Sequence, residues 1–160
     1  MTLTHTPMSP KEALPKIEAL IQEGISCPVV VTGSSMRPFL RSGEDTVIVS
    51  PVTGKIKRGD ILLYRRCGFR TMVSSSPGSP NENPVPILHR VHNVRSGYYL
   101  MVGDAQVKKE PVPTDRVIGV VTQVLKKSKR IPVTDGFLRF KVFLWQLIRP
   151  LRPFILRFLR

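Results

Sequence analysis

A mainly β domain is the fold class this chain of 160 residues predicts, and three observations predict it. Short apolar runs rich in β-branched residues recur at 27–32, 46–50, 61–65, 86–94, 98–102 and 116–125. Turn signals separate them, in a chain carrying 15 prolines and 11 glycines. No helical pattern alternates with the runs, as a parallel α/β sheet would require. At 41% hydrophobic residues the chain can bury one moderate core, and it contains no internal repeat.

The elements follow in order. Residues 9–24 read as an amphipathic helix, with Ser9 as cap, Pro10 at the first helical position and Glu12 completing a capping box. Leu14, Ile17, Leu20 and Ile21 fall on one face, and Pro15 is close enough to the start to be tolerated. Its charges, Lys11, Glu12, Lys16 and Glu18, are wrong for a signal peptide or a membrane anchor. Upstream, His5 belongs to a tail expected to be disordered. The run Cys27 to Thr32 predicts a strand that ends in a small-residue turn, Gly33-Ser34-Ser35-Met36. Such a turn can hold a hydroxyl out of the core at a fixed angle, which makes a serine there a candidate nucleophile if a base can reach it.

Bases are scarce. Apart from His5 there are only His89 and His92, in Ile87-Leu88-His89-Arg90-Val91-His92. Strand alternation puts His89 with Ile87 and Val91, and His92 with Leu88 and Arg90 on the face expected to meet water. Ser35 with His89 is therefore the expected pair. The competing reading is a turn-forming serine and a satisfied core histidine. The Ser/Pro/Gly/Asn-rich stretch over 73–84 cannot build core and reads as a loop. Cys27 and Cys67 are too few for a disulfide scaffold and lack metal-site spacing, so reduced thiols, no metal and no cofactor are expected.

The ordered motifs resemble those of the type I signal peptidase and LexA-like serine peptidase superfamily. Gly33-Ser34-Ser35-Met36-Arg37-Pro38-Phe39-Leu40, followed by Ser42-Gly43-Glu44-Asp45, resembles the nucleophile box. Arg58-Gly59-Asp60-Ile61-Leu62-Leu63 resembles the second turn and strand. Leu88-His89-Arg90-Val91 resembles the base box of the endoplasmic-reticulum and archaeal subgroup, where histidine replaces lysine. Tyr98 to Asp104 resembles the acidic box and Val117 to Val121 the closing strand, so the likeness spans about residues 28–125.

The resemblance implies Ser35 as nucleophile, His89 as general base and Asp104 as the acid orienting it, with Glu110 as the alternative acid. It implies an oxyanion and substrate region at Gly33, Ser34 and Met36. Gly33 stands where many signal peptidases carry a serine, leaving the oxyanion to backbone amides. No lysine occurs between Lys57 and Lys108, so a lysine base could come only from outside the matched box.

The last segment differs in kind. From Lys126 to Arg160 ten basic residues face a single acid, Asp135, and supply most of the net charge of +14. Phenylalanines, leucines and Trp145 are interleaved with them over residues 137–160. The longest uncharged run, Val142 to Ile148, is far short of the roughly 20 residues that span a bilayer. The expectation is an amphipathic basic helix on an anionic membrane surface, with packing on its own domain close behind and nucleic acid last.

The expected organisation is a helical segment at 1–26, a serine peptidase domain at 27–125 and the basic segment at 126–160. The expected activity is endopeptidase cleavage of a leader or signal-like peptide, from the cytoplasmic face and peripherally bound. Alternatives are an inactive peptidase-fold module that binds peptide or membrane, and a self-cleaving LexA-like regulator. The sequence does not fix the oligomeric state.

Overall fold

A computed structural model describes residues 10–66, 84–126 and 129–148. His5, Ser9, Cys67, most of the 73–84 stretch and the basic residues from 149 onward lie outside them. The fold is mainly β: one antiparallel sheet of eight strands with few helices. Its elements are α1 (Pro10–Gln22), β1 (Cys27–Val30), β2 (Asp45–Ser50), β3 (Ile61–Arg66), β4 (Val85–Arg95) and β5 (Tyr98–Val102). They continue with β6 (Glu110–Pro113), a 3-10 turn at Thr114–Arg116, β7 (Val117–Lys126), β8 (Lys129–Pro132) and α2 (Gly136–Leu147). The strand order is β1-β2-β7-β3-β4-β5-β6, with β8 also paired to β7.

The predicted helix and all six predicted strands form, each within a few residues of its expected ends. Two strands were not foreseen. β6 reads Glu-Pro-Val-Pro, and its prolines are tolerable because it closes one edge of the sheet. β8 lies in the basic segment, and its pairing with β7 carries the sheet beyond residue 125.

β3 occupies the middle of the sheet and is buried on both faces. Ile61 and Leu63 join a core with Val47, Val49, Val121, Val124, Met36 and Leu40. Leu62 and Tyr64 join a second core with Val91, Met101 and Val112. Alternation along one strand thus feeds two apolar clusters, which fixes its register firmly, since a slip of one residue would exchange them. α1 lays Ile17 and Ile21 into the first core and packs against β1, β4 and β7, so the N-terminal segment is part of this core.

α2 also docks on the domain. Val142 and Trp145 are buried, the Trp145 indole N–H donates to the Asp104 carbonyl at 2.6 Å, and its ring meets Phe39 edge-on at 6.3 Å. For these two residues the competing reading, packing on the domain, describes what is seen. Phe140, Phe143, Leu144 and Leu147 on the same helix remain exposed. Among the described residues no helix is long and apolar enough to cross a membrane.

Candidate active site

Ser35 leaves the sheet just after β1. Gly33 has φ +80°, the left-handed region that glycine reaches without strain, and it turns the chain at the strand end. Beyond the turn Met36 and Leu40 are buried and pin the segment to the first core. The far side of the turn is held by the loop after β5: the Ala105 N–H donates to the Ser35 carbonyl at 2.8 Å. That approach requires Gly103, where a Cβ would lie 2.6 Å from the same carbonyl oxygen. The backbone of Ser35 is thus held from both sides while its side chain stays partly exposed.

His89 arrives from β4, directly opposite Leu62 of β3. It is 3% exposed, yet it lines a cavity of about 480 Å³ together with Gly33, Ser34, Ser35, Arg66 and Gln106. The expected nucleophile and the expected base, distant in sequence, open onto one space. His92 does not line that cavity. No hydrogen bond joins the Ser35 hydroxyl to His89; catalytic bonds of this kind often tighten only when substrate binds.

The acid differs from the expected one. Arg90, expected to face water, is 5% exposed, and its Nε and Nη2 grip both oxygens of Asp104 at 2.8 and 2.7 Å. Nη1 of Arg90 donates to the Gly59 carbonyl at 2.8 Å, and the guanidinium lies over the Phe39 ring. Asp104, fully buried, is consumed by this pair and orients Arg90, not His89. A buried guanidinium needs a charged partner, and Asp104 is the one at hand.

The carboxylate linked to His89 is Glu110, through a residue that sequence reasoning missed. The Tyr64 hydroxyl lies 3.1 Å from His89 Nδ1 and 3.1 Å from Glu110 Oε2. Arg66 holds Glu110 in turn, its Nε donating to Oε1 at 2.8 Å while Nη2 bonds the second oxygen. Tyr64 has one proton, and a carboxylate can only accept. With that proton donated in the bond to Glu110, the phenol oxygen must accept from Nδ1–H of His89. This assigns the tautomer and leaves the Nε2 lone pair free for a proton.

Electrostatics agree with that state. Burial, and then repulsion by Arg66, lower the His89 pKa to about 4, against the smaller opposing pull of Glu110 and Asp104. The imidazole is therefore neutral at pH 7. Burial is the largest single influence on Glu110 and works to raise its pKa, but the bond and charge of Arg66, with the Tyr64 bond and the nearby His89, together outweigh it and hold the carboxyl below its usual range. Burial and the charge of Glu110 push the Tyr64 phenol up, so it remains protonated. Burial likewise raises the Cys27 thiol, which is reduced and buried.

Two further expected site residues take other positions. Met36 is buried in the first core and is not a wall of the cavity; it anchors the turn. Gly33 does line the cavity, but its N–H donates to the Ser42 hydroxyl at 3.1 Å and is already committed. Among the described residues no three His, Cys, Asp or Glu side chains gather as a metal site. A search for relatives finds neither a protein-family model nor a curated protein that matches this chain.

Proposed function

We propose that the protein is a serine endopeptidase of the signal-peptidase and LexA-like type, acting on a leader or signal-like peptide at a membrane surface. The observation that carries this reading is the shared cavity of Ser35 and His89, with the histidine held neutral and its Nε2 unclaimed. Nε2 of His89 takes the Ser35 hydroxyl proton as Oγ attacks the scissile carbonyl. The oxyanion is met by backbone N–H groups, that of Ser35 included, and the proton passes to the leaving amine. Water then repeats the sequence on the acyl-serine and releases the second product. Throughout, Tyr64 and Glu110 keep Nδ1 protonated and the ring fixed.

Peripheral membrane binding is supported by the exposed apolar side of α2 together with the basic residues of 126–160. A second reading, a peptide-binding module of the same fold, is favoured by the missing Ser35–His89 bond. Incubation with a peptide library and mass spectrometry separates the two. The intact chain is expected to yield discrete cleavage products that vanish in Ser35→Ala, whose unfolding midpoint stays unchanged. Cleavage retained in Ser35→Ala but lost in Ser34→Ala would assign the other serine; no cleavage by the intact chain favours the binding module.

A further inference from the structure

A second and larger cavity, of about 690 Å³, lies where α2 faces the sheet and shares no lining residue with the one holding Ser35. Its size falls within the range of about 300–1,000 Å³ that small-molecule sites occupy. The apolar lining comes from Val121 and Val133 on the sheet side and from Phe140, Val142 and Phe143 of α2. Phe140 and Phe143 are 57% and 61% exposed, so the apolar space runs out to solvent past the two rings.

One edge of this space is basic. Arg58 lines it and is itself exposed, in a loop that also presents Lys57 and Lys55 to solvent. Against these three cations the lining holds, among the described residues, one carboxylate, Asp60. Asp60, also in the lining, accepts the Lys57 backbone N–H at 2.7 Å, and the charge of Arg90 is answered by Asp104. An apolar slot with an excess of positive charge at its rim suits a ligand with the inverse distribution.

We infer that this cavity binds a single-chain anionic amphiphile, an aliphatic chain with a carboxylate head. The chain lies among Val121, Val133 and Phe143 and the head meets Arg58. A polar or zwitterionic peptide would leave the valine and phenylalanine walls unmatched. A bare anion would leave the cavity empty. The inference does not rest on the peptidase reading, since no residue of that site takes part.

Trp145, the single tryptophan of the chain, sits on α2 three residues beyond Val142 and provides the signal. The experiment titrates the full chain with bromine-labelled dodecanoate below its micelle concentration and follows Trp145 quenching. Unlabelled octanoate, decanoate and dodecanoate then serve as competitors. Saturable quenching is expected, with competitor affinity rising about fourfold per added methylene, as buried chain requires. Arg58→Glu should weaken dodecanoate about tenfold and leave dodecanol unchanged, while Val133→Phe, in a variant shown to fold, should weaken both. Absence of saturable quenching overturns the inference. So does binding that is indifferent to Arg58→Glu, or binding seen only with anionic phospholipid vesicles, which would assign α2 to a bilayer surface and not to a chain-sized site.

Discussion

His89 and Arg90 are neighbours on β4, both buried and both ionisable, and the molecule treats them in opposite ways. Arg90 keeps its charge, and every strong contact it makes is closed: two bonds to Asp104, one to Gly59 and an aromatic face in Phe39. His89 gives up its charge, is bonded at Nδ1 through Tyr64, and lines the cavity that Ser35 shares. A saturated pair supplies rigidity and no chemistry. A neutral ring fixed at one end and open at the other is what proton transfer needs. On the proposed reading, the difference separates a structural acid, Asp104, from a positioning acid, Glu110.

Removing Asp104 tests that division most forcefully. Asp104→Ala leaves Arg90 buried without its counter-charge, and about 3–5 kcal/mol of stability should be lost in urea unfolding. Glu110 is part exposed and its partner Arg66 can turn to water, so Glu110→Gln should unfold nearly as the parent does while turning over more slowly. If Glu110→Gln proves the more destabilising change, the two carboxylates have been given each other's roles.

Tyr64→Phe removes a hydroxyl and leaves the ring in the second core. The stability loss should be about 1 kcal/mol, and turnover should fall about tenfold, because His89 loses the acceptor that fixes its tautomer. Unchanged turnover in a folded Tyr64→Phe would mean that the Glu110–Tyr64–His89 chain has no part in orienting the base.

The smallest expected effect is a pH dependence, and its sign follows from the direction of the shift. A base must be neutral to act, so turnover should persist through the ordinary histidine value of 6.5 and fall only near pH 4. The folded chain holds this histidine unprotonated while the unfolded chain protonates it near 6.5. Its effect on stability is therefore absent above 6.5 and becomes a loss as pH falls toward about 4. Activity that titrates at 6.5 would describe an exposed imidazole, unlike the one bonded to Tyr64.

The strands could be read from the sequence because each is a β-branched run between turn residues, and Ser35 and His89 stand out because a strand-end turn presents the serine and the chain holds only three histidines; both line one cavity. The wiring behind His89 could not be read in this way. In the sequence the charge of Arg90 points to exposure, whereas a buried partner, Asp104, makes its burial possible. Tyr64 acts on His89 only through the pairing of Leu62 with His89 in β3 and β4, and the residues between those strands conceal that register from local pattern reading. Glu110 is followed by Pro111 and Pro113, which argue against a strand, and only the edge position of β6 makes them acceptable. The docking of Trp145 on the Asp104 carbonyl was equally hidden, because the charge of its segment points outward in the sequence.

The most direct measurement of the central claim is covalent labelling by a fluorophosphonate serine probe, with the modified residue located by mass spectrometry. The wild-type chain should carry the adduct on Ser35, with labelling that is abolished in His89→Ala, slowed in Tyr64→Phe and unaffected in His92→Ala. An adduct on Ser34, or equal labelling of Ser35 in wild type and a folded His89→Ala, would contradict the account.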